Sequence, residues 1–176
     1  MYYFIAIFNV IALYLAIIND RKTWWFAIAG TTLASIMFFN DMMISSFLFN
    51  VYSTVCSIIA LFTWKKANSE NRMFLCFDTL IWATPLLVVA LIYLNVYVFN
   101  SEYFIFDSLG PTFAIVATYL LVKKNILAYV FWILCDINYL VCGIISNTTH
   151  YIIIYTVMLL LSIYGLIRNY KYATYQ

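Results

Sequence analysis

Charge is scarce in this chain. Asp, Glu, Lys and Arg make up only 9% of its 176 residues, against 66% hydrophobic residues and a mean hydropathy of +0.96. No soluble domain of this length could hide so much apolar surface, so the fold class is an all-α, polytopic integral membrane protein. Histidine occurs once, at His150, in a polar break with no second ligand beside it, and reads as a surface residue. Cys56, Cys76, Cys135 and Cys142 all fall inside apolar segments without Cys-x-x-Cys spacing. They read as small packing residues rather than as a disulfide or metal set, and neither a metal nor a cofactor is expected. There is no P-loop, and no His/Asp/Glu/Ser cluster meets at one depth with catalytic spacing, which argues against an enzyme. The net charge of +2 resides in loops and gives no reason to expect a nucleic-acid partner. The first apolar segment lacks a basic n-region and a small-residue cleavage pattern, so it is expected to be a retained span.

What the chain has in abundance is apolar runs. Seven are expected to span the membrane, at about 2–18, 22–39, 42–64, 73–98, 104–122, 125–145 and 149–167, separated by short polar breaks. Tight connections predict that consecutive helices are antiparallel neighbours, and no extramembrane domain is expected. All the basic residues then fall on one side: Arg21 and Lys22; Lys65, Lys66 and Arg72; Lys123 and Lys124; Arg168 and Lys171. The other side carries Asp41, Glu102 and Asp107. By the positive-inside rule the N-terminus is outside and the C-terminus cytoplasmic, in a plasma (inner) membrane. Asp78 reads as a helix-end charge within reach of Arg72 or Lys66, and Pro85 is expected to kink the fourth span.

Sliding the chain by 105 residues, from 12 to 117, aligns Ala12-Leu13-Tyr14-Leu15 with Ala117-Thr118-Tyr119-Leu120. The same shift aligns Ser57-Ile58-Ile59-Ala60-Leu61 with Ser162-Ile163-Tyr164-Gly165-Leu166, and Lys66 with Lys171. It also superposes the break Asn40-Asp41 on Ile145-Ser146. Agreement of breaks, small residues and charges predicts two parallel three-helix repeats joined by a connector span, a 3+1+3 order. The expected units are residues 1–66, 67–103 and 104–176, with a solute site near midplane between the repeats.

The stretch from Lys123 to Asp136 holds the sharpest candidates. Asp136 lies roughly 15 Å from either end of its span at about 1.5 Å rise per residue. A carboxyl group there is costly by at least ~2.5 kcal/mol unless it meets a cavity or a partner. Tyr129, Trp132 and Asp136 follow one helical face at i, i+3 and i+7, giving an aromatic ledge that ends in an acceptor. Trp132 is expected to stack on a flat solute rather than anchor at the interface. Tyr129 either stacks beside it or packs in the core, and Asp136 holds a ligand or bonds to a neighbouring helix. In span 3, Asn50 and Ser53 share a face and serve either a ligand or an interhelical bond; their repeat equivalents are Tyr155 and Met158. Asn138 faces away from Asp136 and reads as interhelical glue.

These segments resemble PnuC-type vitamin transporters, which are similar in architecture to SWEET sugar transporters. The resemblance is carried by Leu120-Leu121-Val122-Lys123-Lys124, by Tyr129-x-x-Trp132-x-x-x-Asp136, by Tyr164-Gly165-Leu166, and in the first repeat by Asn50-x-Tyr52 and Ala60-Leu61-Phe62-Thr63-Trp64. Tyr129 stands where the family usually has a Trp, Ala60-Leu61 replaces Gly-Trp, and Asn169 stands where a C-terminal Trp is common. The resemblance implies facilitated diffusion of nicotinamide riboside by alternating access, with substrate residues Tyr129, Trp132, Asp136, Asn50 and Ser53. It also implies a homo-oligomer, with a trimer the expected form, embedded in membrane lipid. Thiamine, another nucleoside or a sugar are alternative solutes, and a non-transporting accessory membrane protein is the alternative outside the transporter class.

Overall fold

A segment crossing lipid must pair every backbone N–H and C=O internally, and the α-helix does so residue by residue. The computed structural model describes residues 2–40, 44–64, 79–98 and 104–174. They form seven helices: α1 (Tyr2–Ile17), α2 (Thr23–Asn40), α3 (Ile44–Thr63), α4 (Thr79–Tyr97), α5 (Phe104–Val122), α6 (Leu127–Ile145) and α7 (Thr149–Thr174). Each lies within an expected apolar run, give or take a few residues, except that α7 continues seven residues past 167. Four of them, α3, α5, α6 and α7, are long and apolar enough to cross a membrane, while the apolar parts of α1 and α4 are shorter. Lys65, Lys66, Arg72, Asp41, Asp78, Glu102 and Cys76 lie outside the described residues. Pro85 lies inside α4.

The turns explain why the helices stop where they do. Asn19, Lys124 and Asn147 adopt positive φ, 60°, 55° and 52°, the left-handed step that ends a helix. At the α1–α2 turn the Asp20 N–H donates to the Leu15 carbonyl (2.9 Å) and the Asn19 N–H to Ala16 (3.0 Å). At the α5–α6 turn Asn125 donates to Leu120 (2.8 Å) and Lys124 to Leu121 (2.9 Å). At the α6–α7 turn Thr148 donates to Gly143 and Asn147 to Ile144. The next helix is then started by the same device twice. The Asp20 carboxylate accepts from the Lys22 N–H (2.9 Å), and the Asn125 side-chain oxygen accepts from Leu127 (3.1 Å). The bonds that shape the α1–α2 turn thus recur in the α5–α6 turn 105 residues later (20 to 125, 22 to 127).

Six helices close a ring in the order α1–α2–α3–α5–α6–α7 and back to α1, while α4 packs outside against α5. Asn95 ties α4 in place: its side-chain oxygen accepts from Ser45 on α3 (2.6 Å) and its amide donates to Ser108 on α5 (2.9 Å). The ends of α1, α3, α5 and α7 meet at one end of the ring. There the Trp64 indole donates to the Val122 carbonyl (2.9 Å) and the Asn169 amide to the Ile17 carbonyl (3.4 Å). Arg21 caps α3 by donating from Nε (2.7 Å) and Nη2 to the Leu61 carbonyl, which satisfies an orphan acceptor at a helix C-terminus. Arg21, Lys22, Lys123, Lys124, Arg168 and Lys171 therefore gather at this basic end. The larger apolar core also sits there, built on Ile17, Trp24, Trp64, Leu120, Ile126 and Tyr129. Toward the opposite end the buried cluster shrinks to Ile5, Ala34 and Met37.

Candidate functional site

Between the two core clusters the ring encloses a cavity of about 170 Å³, lined from α1, α2, α3, α5, α6 and α7. It runs from Trp24 and Leu121 at the basic end to Met37 and Tyr151 near the opposite helix ends. The hole exists because side chains facing each other across it differ in size. On α6, Trp132 and Tyr139 project large rings; their counterparts 105 residues earlier on α2 are Ala27 and Ala34, and all four line the cavity.

Trp132, Asp136, Asn50 and Ser53 all line this cavity. The Asp136 carboxylate is 2% exposed, and its Oδ2 accepts from the Ser162 hydroxyl on α7 (2.8 Å). Trp132 is half-buried, with a buried indole N–H that has no hydrogen-bond partner among the described residues. Trp24, on the opposite side of the ring, also lines the cavity and carries a second buried indole N–H without a partner among the described residues. Asn50 is buried and donates its amide to the Ser46 carbonyl one turn back (2.7 Å). The Ser53 hydroxyl lies 3.2 Å from that of Thr118, joining α3 to α5.

Tyr129 is placed elsewhere. It is not among the lining residues and is fully buried in the core at the basic end. Its ring fills the space over Gly165 of α7, where an added Cβ would come within 2.6 Å of it. Its hydroxyl neighbours the Asn169 side chain without a hydrogen bond of good geometry. The reason is local packing: its ring lies against Gly165 of α7 beside Ile17 of α1, whereas its counterpart Trp24 reaches the cavity. Asn138 bonds between helices, donating to the Phe106 carbonyl of α5 (3.0 Å). Asn9 lines the cavity, and its side-chain oxygen lies too close to Gly30 of α2 to leave room for a Cβ there.

Sequence reasoning missed the aromatic wall above Asp136. Tyr139 stacks on Tyr155 (centroids 4.8 Å apart, planes at 19°), and Tyr151 meets Tyr155 edge-on at 5.8 Å; all three line the cavity. Gly110 of α5 makes room, since a Cβ there would lie 2.7 Å from the Tyr139 ring. The signal was present: Trp132, Asp136 and Tyr139 follow i, i+4, i+7, the same face carried one turn further. Thr31, the counterpart of Asp136, also lines the cavity, and its hydroxyl is paired with that of Thr54 (2.7 Å). At the basic end, Lys124 places its ammonium 4.9 Å from the Trp64 ring, and partial burial pushes that ammonium below the usual lysine range.

The site therefore offers aromatic faces, two indole donors, one carboxylate, an amide and hydroxyls around an otherwise apolar hole. That combination suits a solute with a flat, cationic or polarised ring and several hydroxyls.

Comparisons with known proteins bear on the family and the fold. The family model described as nicotinamide mononucleotide transporter matches residues 1–171. Among solved structures, the crystal structure of the Vitamin B3 transporter PnuC superposes with a TM-score of 0.79 at 13% identity, covering 98% of this chain and 81% of that one. At that identity the likeness speaks for the fold. Among curated proteins, none matches the sequence.

Proposed function

The chain belongs to the nicotinamide mononucleotide transporter family, and from that premise we propose that it carries a nicotinamide riboside-type solute across the membrane by facilitated diffusion. The observation that carries this reading is the shared wall of Trp132 and Asp136, facing Asn50 and Ser53 across one cavity. The solute's pyridinium ring stacks on Trp132, and Asp136 balances its charge. Asn50, Ser53 and the indole N–H groups serve its ribose and carboxamide. Stacking of a base-like ring on an aromatic side chain is typically worth ~1–3 kcal/mol, and an intramembrane carboxylate marks a functional site by default. Tyr129 supports the wall from behind, as the packed layer beneath Trp132, and Tyr139 with Tyr155 takes the outer side.

In this account all seven helices cross the membrane, and residues 1–66 and 104–176 are parallel repeats joined by the connector at 67–103. Support comes from the ring itself: exchanging α1 with α5, α2 with α6 and α3 with α7 leaves the pattern of neighbours unchanged. The duplicated turn points the same way. Alternating access then has the two halves rock about the midplane cavity. The basic end faces the cytoplasm of a plasma (inner) membrane, with the N-terminus outside. A homo-oligomer in lipid, as the family resemblance implies, is the working assembly. Thiamine is the second reading, because Asp136 suits any solute with a cationic ring.

Radiolabel uptake into proteoliposomes tests the proposal. Saturable entry of nicotinamide riboside, competed by excess unlabelled solute and indifferent to an imposed pH gradient, is expected. No uptake would contradict the carrier, accumulation driven by the pH gradient would contradict facilitated diffusion, and stronger competition by thiamine would move the assignment to that solute.

A further inference from the structure

Two contacts that join the halves of the ring at the basic end are related by the 105-residue shift, and the two members are not equally strong. Trp64, at the end of α3, donates its indole N–H to the last carbonyl of α5, Val122, at 2.9 Å. Its counterpart Asn169, near the end of α7, donates to the last carbonyl of α1, Ile17, at 3.4 Å. Donor and acceptor both map across the shift (64 to 169 and 17 to 122), so these are the two seams at which one half of the ring meets the other.

Trp64 is held from several sides. It is 3% exposed, meets the Trp24 ring edge-on at 5.0 Å and lies under the Lys124 ammonium at 4.9 Å. The helix end that carries it is capped by Arg21. Asn169 is held chiefly by its own helix, since the same amide group donates to Gly165 one turn back at 2.9 Å. The seam beside it is lined with small residues: Gly165, which leaves no room for a Cβ between Tyr129 and Ile17, and Ala16, which is 1% exposed. A long, shared hydrogen bond between smooth surfaces separates more easily than a short one locked by stacked rings.

We infer that Asn169 is the releasable latch, and Trp64 the fixed hinge, of the gate at the basic end: the cavity opens there by parting α1 from α7 while α3 and α5 stay joined. This deepens the carrier reading and rests on it, since a gate matters only to a protein that must expose its cavity on both sides. Asn169 and Trp64 are positioning residues here, and neither is among the residues lining the cavity.

The natural thiol of Cys135 lines the cavity and reports on opening without any solute. A membrane-impermeant maleimide is applied from the basic face of oriented vesicles, and modification of the Cys135 peptide is followed by mass spectrometry. Ser57→Cys, a near-isosteric change on the α3 wall of the cavity, gives a second reporter. Asn169→Leu is expected to speed labelling roughly three- to tenfold, the population shift that losing one net hydrogen bond allows. Trp64→Phe, which keeps a ring but loses the donor, should leave labelling within about a factor of two of the parent, because the moving seam is intact. Asn169→Trp, which copies the first half into the second, should slow it below the parent. Unchanged labelling in a folded Asn169→Leu protein, or Trp64→Phe labelling as fast as Asn169→Leu, would overturn the assignment. Failure of the unaltered protein to take up nicotinamide riboside would count against the carrier and leave the labelling result standing.

Discussion

At the basic end of the molecule the two halves do the same things with different residues. Asp20 and Asn125 start the following helix by the same side-chain bond. Trp64 and Asn169 reach across to the end of a helix in the other half. Trp24 and Tyr129 are two of the largest fully buried side chains. One to three turns further in, the counterparts part company: Ala27 stands for Trp132, Thr31 for Asp136, Ala34 for Tyr139 and Asn50 for Tyr155, and all eight line the cavity. In the proposed carrier, structure is kept where the halves close on each other, and chemistry diverges where a solute without two-fold symmetry is held. Size asymmetry makes the hole, and charge asymmetry gives it a polarity.

The largest effects should come from the conserved end and should fall on both halves alike. Tyr129→Ala and Trp24→Ala each remove a buried ring and should each cost ~3–5 kcal/mol of stability, read as matched losses in thermal unfolding in detergent. A large loss at one and none at the other would break the equivalence. At mid-depth the effects should be one-sided. Asp136→Asn should weaken nicotinamide riboside binding roughly ten- to hundredfold, as expected for losing a partner to a charged group, whereas Thr31→Val, its counterpart, should change binding by less than about threefold. Equilibrium binding to purified protein separates the two. Gly165→Ala should cost ~1–3 kcal/mol through the clash with Tyr129, yet leave the dissociation constant near the parent's, which distinguishes a packing position from the cavity wall. A smaller loss than at Asp136 is expected at Ser53→Ala, ~0.5–1.5 kcal/mol in binding, since the Thr118 hydroxyl beside it remains.

Much of this was legible in the sequence, and the parts that were not have physical causes. Helix positions followed from apolar runs, because a chain in lipid has so few ways to satisfy its backbone. The 105-residue shift was visible in breaks and small residues. That it extends to a hydrogen bond from Trp64 and another from Asn169 was not visible, because donors so unlike share no sequence signature. Trp132 and Asp136 were readable as a face. Tyr139 belongs to that same face and was hidden only by the abundance of aromatics, 36 of 176 residues when Trp, Tyr and Phe are added. Tyr129 lies on the face too, but whether a residue faces a cavity or a core depends on what packs around it. Around Tyr129 that packing comes from the Ile17 side chain of α1 and the bare backbone of Gly165 on α7, both far away in sequence.

The central claim is that the solute sits where large rings of the second half face small side chains of the first. The most direct measurement is nicotinamide riboside binding to Ala27→Trp, which places in the first half the ring that Trp132 supplies in the second. A protein that unfolds at the parent's temperature but binds at least about tenfold more weakly, a difference of about 1.4 kcal/mol, is the predicted result. Binding as tight as the parent's in that folded variant would contradict it.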